Sequence, residues 1–195
     1  MYTFIQPIAI LAIHILLIDL IGEMLPLLML TFDRADENIM KEHPRKKGQL
    51  LNRSVLFQVL NSGVIRGILA LAVFNFVFYF HEGEANQHET AVAGTFITIV
   101  LTQFINIFCI RTKTSVFERF LFSNPNLLWG MVLSFMAMLA IIYVPFFNLY
   151  LHTGPLTARD WVYPIAASLV YLIGFEIIKW GKRKTVSTLD MNDDQ

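Results

Sequence analysis

The stretch His14-Ile-Leu-Leu-Ile-Asp19-Leu-Ile-Gly22-Glu23-Met-Leu-Pro26 decides how the chain is read. It lies inside residues 7–32, which are otherwise almost wholly apolar. A helix that crosses the hydrocarbon core of a bilayer needs about 20 predominantly apolar residues. This run is long enough, and it carries two carboxylates and a proline near its middle. It is not a secretory signal: it has no basic leading region and is too long for the apolar part of one.

Four further runs of similar length come after it, at 61–80, 91–110, 127–150 and 161–180. Neither strand alternation nor an internal repeat is present. Hydrophobic residues make up 55% of the chain and charged residues 15%, with Phe alone at 17 positions. Typical soluble chains hold roughly half and a quarter. The fold class implied is all-α, a multi-pass membrane helical bundle with five transmembrane helices. Residues 1–184 form the domain, and 185–195 form a disordered cytoplasmic tail. Fifteen basic and fifteen acidic residues cancel, so no global charge attracts nucleic acid. Membrane lipid is the expected surrounding. Cys109 stands alone, which excludes a disulfide framework and any metal site made only of cysteine.

Lys and Arg are distributed unevenly. Arg34, Lys41, Arg45, Lys46, Lys47 and Arg53 come after the first run; Arg111, Lys113 and Arg119 come after the third; Lys179, Lys182, Arg183 and Lys184 end the fifth. The opposite side has Arg159 alone, and 81–90 holds three Glu without Lys or Arg. The positive-inside rule then puts the N-terminus outside and the C-terminus in the cytoplasm.

Ionisable groups at bilayer depth cost roughly 2.5–3.5 kcal/mol each on insertion scales. Asp19 and Glu23 are four apart and share a helix face. Two carboxylates there repel unless a cation or a proton lies between them. Pro26 has no N–H, so the carbonyl of Gly22 loses its helical partner and the turn is pushed open. Gly22 lets the backbone unwind cheaply. Carboxylates and a freed carbonyl are the oxygen ligands that hard cations take. The other reading is a proline kink with two protonated carboxyls facing neighbouring helices. On the third run Gln103 and Asn106 are three apart on one face, either completing a cation shell or hydrogen-bonding between helices. Arg66 either snorkels to the interface or pairs with an acid. Gly63 and Gly67 would let another helix approach closely. His14 reads as a hydrogen-bonded filler or as a ligand.

Ile18-Asp-Leu-Ile-Gly-Glu-Met-Leu-Pro26, with Phe32-Asp33 and Asn38-Ile-Met-Lys-Glu-His-Pro-Arg45 after it, resembles the sixth transmembrane helix and next cytoplasmic loop of P-type cation-transporting ATPases. Gln103-Phe-Ile-Asn106 resembles the polar motif of their eighth helix. Ser115-Val-Phe117 and Leu121-Phe-Ser-Asn124 resemble the next loop of that family. Tyr143-Val-Pro145 and Glu176-Ile-Ile-Lys179 resemble its ninth and tenth helices. The resemblance covers about residues 5–184. It implies the C-terminal membrane domain of an ATP-driven pump. Asp19, Gly22, Glu23, Gln103 and Asn106 are its cation-binding positions, Asp19 and Glu23 the metal-binding acids, and Pro26 the helix break.

The chain departs from that family at Glu23, where an Asp is usual, at Gly22, where a Thr is usual, and on the third run, where Asn106 or Gln103 replaces the eighth-helix acid. The ion therefore stays open: Ca2+ is favoured, with Na+, K+, H+ and Mn2+ possible. No Asp-Lys-Thr-Gly-Thr phosphorylation sequence is present. The resemblance thus leaves ATP and Mg2+ to cytoplasmic domains elsewhere, and makes helices one to five and the phosphorylation domain the implied partners. No catalytic residue is expected here. The alternative is a freestanding membrane interaction or regulatory protein that keeps the pump-domain fold without transport. A small secondary transporter is disfavoured by the lack of an inverted repeat.

Overall fold

The computed structural model describes residues 9–32, 53–111 and 124–193, and among them all regular structure is helical. The cationic tracts 33–52 and 112–123, which carry most of the orientation signal and the loop resemblance, lie outside the described residues. The helices are α1 (Ala12–Leu17), a π-helical turn (Ile18–Glu23), α2 (Met24–Leu30), α3 (Arg53–Phe80), α4 (Gln87–Arg111), α5 (Pro125–Tyr143), α6 (Pro145–Leu151) and α7 (Val162–Asp193). Among the described residues four stretches are long and apolar enough to cross a membrane: Ala12–Leu30, Val59–Phe80, Gln87–Cys109 and Pro125–Tyr143. Val162–Ile178 of α7 is a shorter apolar helix and corresponds to the fifth expected span.

Two boundaries differ from the sequence reading. The expected fourth span, 127–150, divides at Val144, whose backbone is extended (φ −84°, ψ 119°). Pro145 causes this, because its ring disfavours helical geometry in the residue before it. It then starts α6 as a first-turn proline, where the missing N–H costs nothing. At the other end of the chain, the backbone of α7 stays helical to Asp193, past the point where a disordered tail is expected. Residues 182–193 contain neither Pro nor Gly, so nothing in them obliges the hydrogen-bond ladder to stop.

α4 is the central helix. Of its most apolar 18-residue window 72% is buried, against 22% for the first span and for α3. One side, with Ala93, Phe96, Ile97 and Val100, packs on Ile18 of the π-turn and on Met138, Ile141 and Ile142 of α5. The other side meets Val73, Phe74 and Val77 of α3 and Ala167 of α7, and Cys109 packs on Tyr171 and Phe175. Lipid is as apolar as leucine, so such contacts hold by close fit and interhelical hydrogen bonds rather than by escape from water. The hydroxyls of α4 return to their own helix: Thr95 donates to Ala91 O (2.8 Å), Thr98 to Gly94 O (2.7 Å) and Thr102 to Thr98 O (2.8 Å). No hydroxyl at those three positions is left unpaired in hydrocarbon.

Candidate functional site

The segment ahead of Pro26 is π-helical from Ile18 to Glu23. The Met24 N–H reaches the Asp19 carbonyl, a bond across five residues instead of four. The cause is local: the ring of Pro26 crowds the carbonyl four residues back, and one widened turn relieves that contact without breaking the helix. Ser134 of α5 donates to the Ile21 carbonyl at 2.7 Å, so the distorted turn is also tied to its neighbour.

Ile18, Gly22 and Pro26 are buried and mark the face packed into the bundle. A Cβ on Gly22 would stand 3.2 Å from Met138 Cε and 3.6 Å from Val100 Cγ2. Gly22 thus lets the π-turn come close to α4 and α5. Asp19 and Glu23 each come one position after an inward residue, which turns them about 100° away on a helix. Asp19 is exposed and Glu23 half-buried. Around them Leu16, Leu20, Met24 and Leu28 are more than half exposed. The two carboxylates occupy the open side of the first span. Among the described residues no group of three or more His, Cys, Asp or Glu side chains is arranged to hold a metal ion.

Gln103 and Asn106 are buried and meet α3 and α7. Arg66 donates to Gln103 Oε1. Asn106 Oδ1 accepts from Ser62 at 3.2 Å and from Tyr171 OH at 2.9 Å, and these two hydroxyls are 2.7 Å apart. The pairs run in antiparallel order, Ser62 with Asn106 and Arg66 with Gln103. The partners of Asn106 escape a reading of single helices. One signal was available: Ser62 and Arg66 are four apart, a polar pair on one face of α3 that answers the pair three apart on α4. Arg66 is half-buried and turned to an amide. A Cβ on Gly63 or on Gly67 would meet nothing within 4 Å, so no described helix approaches them.

His14 is fully buried. Its Nδ1 accepts from the Leu11 N–H at 3.2 Å and its Nε2 donates to the Leu151 carbonyl at 2.6 Å. Those roles fix a neutral imidazole protonated at Nε2. His14 pins the start of the first span to the end of α6, with the Phe96 ring edge-on at 5.8 Å.

The chain matches, over residues 7–181, the family model described as "Cation transporting ATPase, C-terminus". It is 32% identical over 167 residues to the calcium-transporting ATPase of Bacillus subtilis, covering 84% of this chain and 18% of the relative. It is 32% identical over 185 residues to calcium-transporting ATPase 1 of Bacillus cereus, covering 88% and 21%. With the endoplasmic reticulum calcium ATPase srcA of Aspergillus fumigatus it shares 23% over 210 residues, 92% of this chain and 21% of the relative. The chain therefore spans about a fifth of the length of these relatives. Its membrane-length apolar helices and a match over nearly its whole length make it an integral membrane protein that belongs to the family of cation-transporting ATPase C-terminal domains.

Proposed function

We propose that this chain supplies one wall of the intramembrane ion path of an ATP-driven cation pump, with Asp19 and Glu23 as its carboxylate ligands and Ca2+ as the cation. The observation that carries this reading is the pair of acids on the open side of a π-distorted, membrane-length helix. A carboxylate at that depth is costly unless something pairs with it, and nothing described in this chain does so for both. A hard cation bound by oxygen ligands is a fitting partner. The names of the relatives, calcium-transporting ATPases, favour Ca2+.

The relatives are about five times longer than the matched segment. In this reading the remaining pump segments, including helices one to five and a phosphorylation domain that uses ATP and Mg2+, face the open side and complete the ion shell. The Lys and Arg asymmetry supports an N-terminus outside and a C-terminus in the cytoplasm. Gln103 and Asn106 then serve as interhelical struts, since their side-chain oxygens are engaged by Arg66, Ser62 and Tyr171. Gly22 contributes by its lack of a side chain, and Pro26 by widening the turn.

The test uses the complete pump. Asp19→Asn combined with Glu23→Gln abolishes cation-dependent formation of the phosphorylated enzyme, whereas Gln103→Glu leaves the cation dependence in place. Survival of transport in the double variant overturns the assignment.

A further inference from the structure

Where α3 turns into α4, three side chains meet that the ion path does not use. His81 Nδ1 lies 2.7 Å from Glu84 Oε2, and His81 Nε2 lies 2.9 Å from Asp160 Oδ1. An ionised carboxylate only accepts, so both ring nitrogens must donate, and the ring is an imidazolium. The second oxygen of Asp160 accepts the Thr157 N–H at 2.8 Å and the Thr157 hydroxyl at 2.7 Å. The Asp160 side chain is 4% exposed and that of His81 15%, whereas Glu84 is 63% exposed. The Asp160 contact is thus sheltered from water and Glu84 is an outer partner.

The segment that carries Asp160 is bonded to the rest of this end of the bundle as well. The Gly154 N–H donates to Glu89 O at 3.0 Å, Tyr143 OH donates to Leu156 O at 2.9 Å, and Trp161 Nε1 donates to Tyr143 OH at 2.8 Å. None of those bonds involves a group that titrates near neutrality. His81 is the exception.

We propose that His81, Glu84 and Asp160 form a proton-operated clasp that locks the α3–α4 turn to the segment leading into α7 and lets go when the medium at that end becomes alkaline. The bonds to Asp160, then to Glu84, raise the His81 imidazole above its ordinary value, against the opposing effect of burial. Burial alone would push the Asp160 carboxyl up; the hydrogen bonds from His81 and Thr157 outweigh it and hold it below the ordinary carboxylate value. The charges acting on His81 are those of Asp160 and Glu84. The other ionisable groups on the elements around it are Tyr79 on α3, Glu82 on the turn, His88 and Glu89 in the first turn of α4, and Arg159 and Tyr163 beside Asp160.

Linkage sets the direction of the pH effect. A raised histidine contributes stability that is complete below its unfolded value of about 6.5 and is lost as pH rises through the folded value. A depressed aspartate contributes stability that is complete above its unfolded value near 3.8 and is lost as pH falls through the folded one. The clasp is therefore fully closed between those two unfolded values and opens on the alkaline side at His81. It stands whether or not the chain forms part of an ion path.

The test is thermal unfolding of the full chain in detergent at pH 6 and pH 9, wild type against His81→Gln. The wild type is expected to lose about 2–4 °C more than the variant between the two conditions, a shift typical of one polar contact in a chain of this size. Coincident pH profiles overturn the clasp. Should His81→Gln fail to fold, Glu84→Gln at its exposed position takes its place, read by histidine-ring NMR. One resonance should titrate above about 6.5 in the wild type and move down in Glu84→Gln; its absence overturns the proposal equally.

Discussion

Two sets of polar residues lie within the membrane-length helices, and they are disposed in opposite ways. On the first span Asp19 is exposed and Glu23 half-buried, on a side from which α4 and α5 are absent. Between α3, α4 and α7 the buried Ser62, Gln103 and Asn106, with Arg66 and Tyr171, bond to one another. Polar groups surrounded by hydrocarbon must be paired. The second set is paired within the chain and so ties three helices together. The first has no such bond among the described residues. Under the proposed function, the chemistry of a side chain, amide or carboxylate, does not by itself separate strut from ligand; a bonded partner among the described residues does.

Stability measurements can break this contrast. Asn106→Leu removes the acceptor shared by Ser62 and Tyr171. Leaving buried donors unpaired costs about 1–3 kcal/mol. The two hydroxyls are 2.7 Å apart and still bond each other, which places the loss toward the lower end of that range. Asp19→Asn in the same unfolding assay in detergent should change stability by less than about 0.5 kcal/mol, as surface substitutions do. If Asp19→Asn is as costly as Asn106→Leu, the carboxylate has a structural partner in the chain and the distinction between the two sets fails.

How far these features were legible in the sequence differs between them. The spans were readable because a bilayer demands a run of fixed length. The divided fourth span was readable in principle, since Val144-Pro145 is a pair that helices seldom run through; the apolar residues on both sides, Tyr143 and Phe146, disguise it. The helical extension of α7 was hidden by charge: Lys182, Arg183 and Lys184 resemble a solvated tail, yet residues 182–193 hold no Pro or Gly and prolong a helix already begun upstream. Asp19 and Glu23 could be placed on one face from their spacing alone. Which way that face points could not, because it depends on where Ile18 and Gly22 find Val100 and Met138, tens of residues away. The same holds for Gln103, whose partner is set by how α3 docks.

A smaller effect probes how the turn that carries the first set is anchored. Ser134 is the polar tie from α5 to the π-turn, through the Ile21 carbonyl. Interhelical hydrogen bonds in membranes are worth about 0.6 kcal/mol on average, so Ser134→Ala should cost about that much. The carbonyl retains its second lone pair for helical bonding, so the π-turn itself should persist. A loss of several kcal/mol would mean that the turn is held by α5 rather than by Pro26. Pro26→Ala separates the two causes: with the proline removed, the segment should relax toward a regular α-helix even though Ser134 remains.

An effect of similar size has the opposite sign, and it tests the open side of α3. A Cβ on Gly67 would meet nothing within 4 Å, whereas one on Gly22 would stand 3.2 Å from Met138 Cε. Alanine in a helix interior is favoured over glycine by roughly 0.5–1 kcal/mol, because glycine loses more backbone freedom on folding. Gly67→Ala should collect that gain and raise the unfolding midpoint of the chain slightly. Gly22→Ala should forfeit part of it, since the new methyl obliges the end of Met138 to move. Equal gains at both positions would show that the π-turn is not closely seated against α5, and would remove the packing reason for which Asp19 and Glu23 face outward.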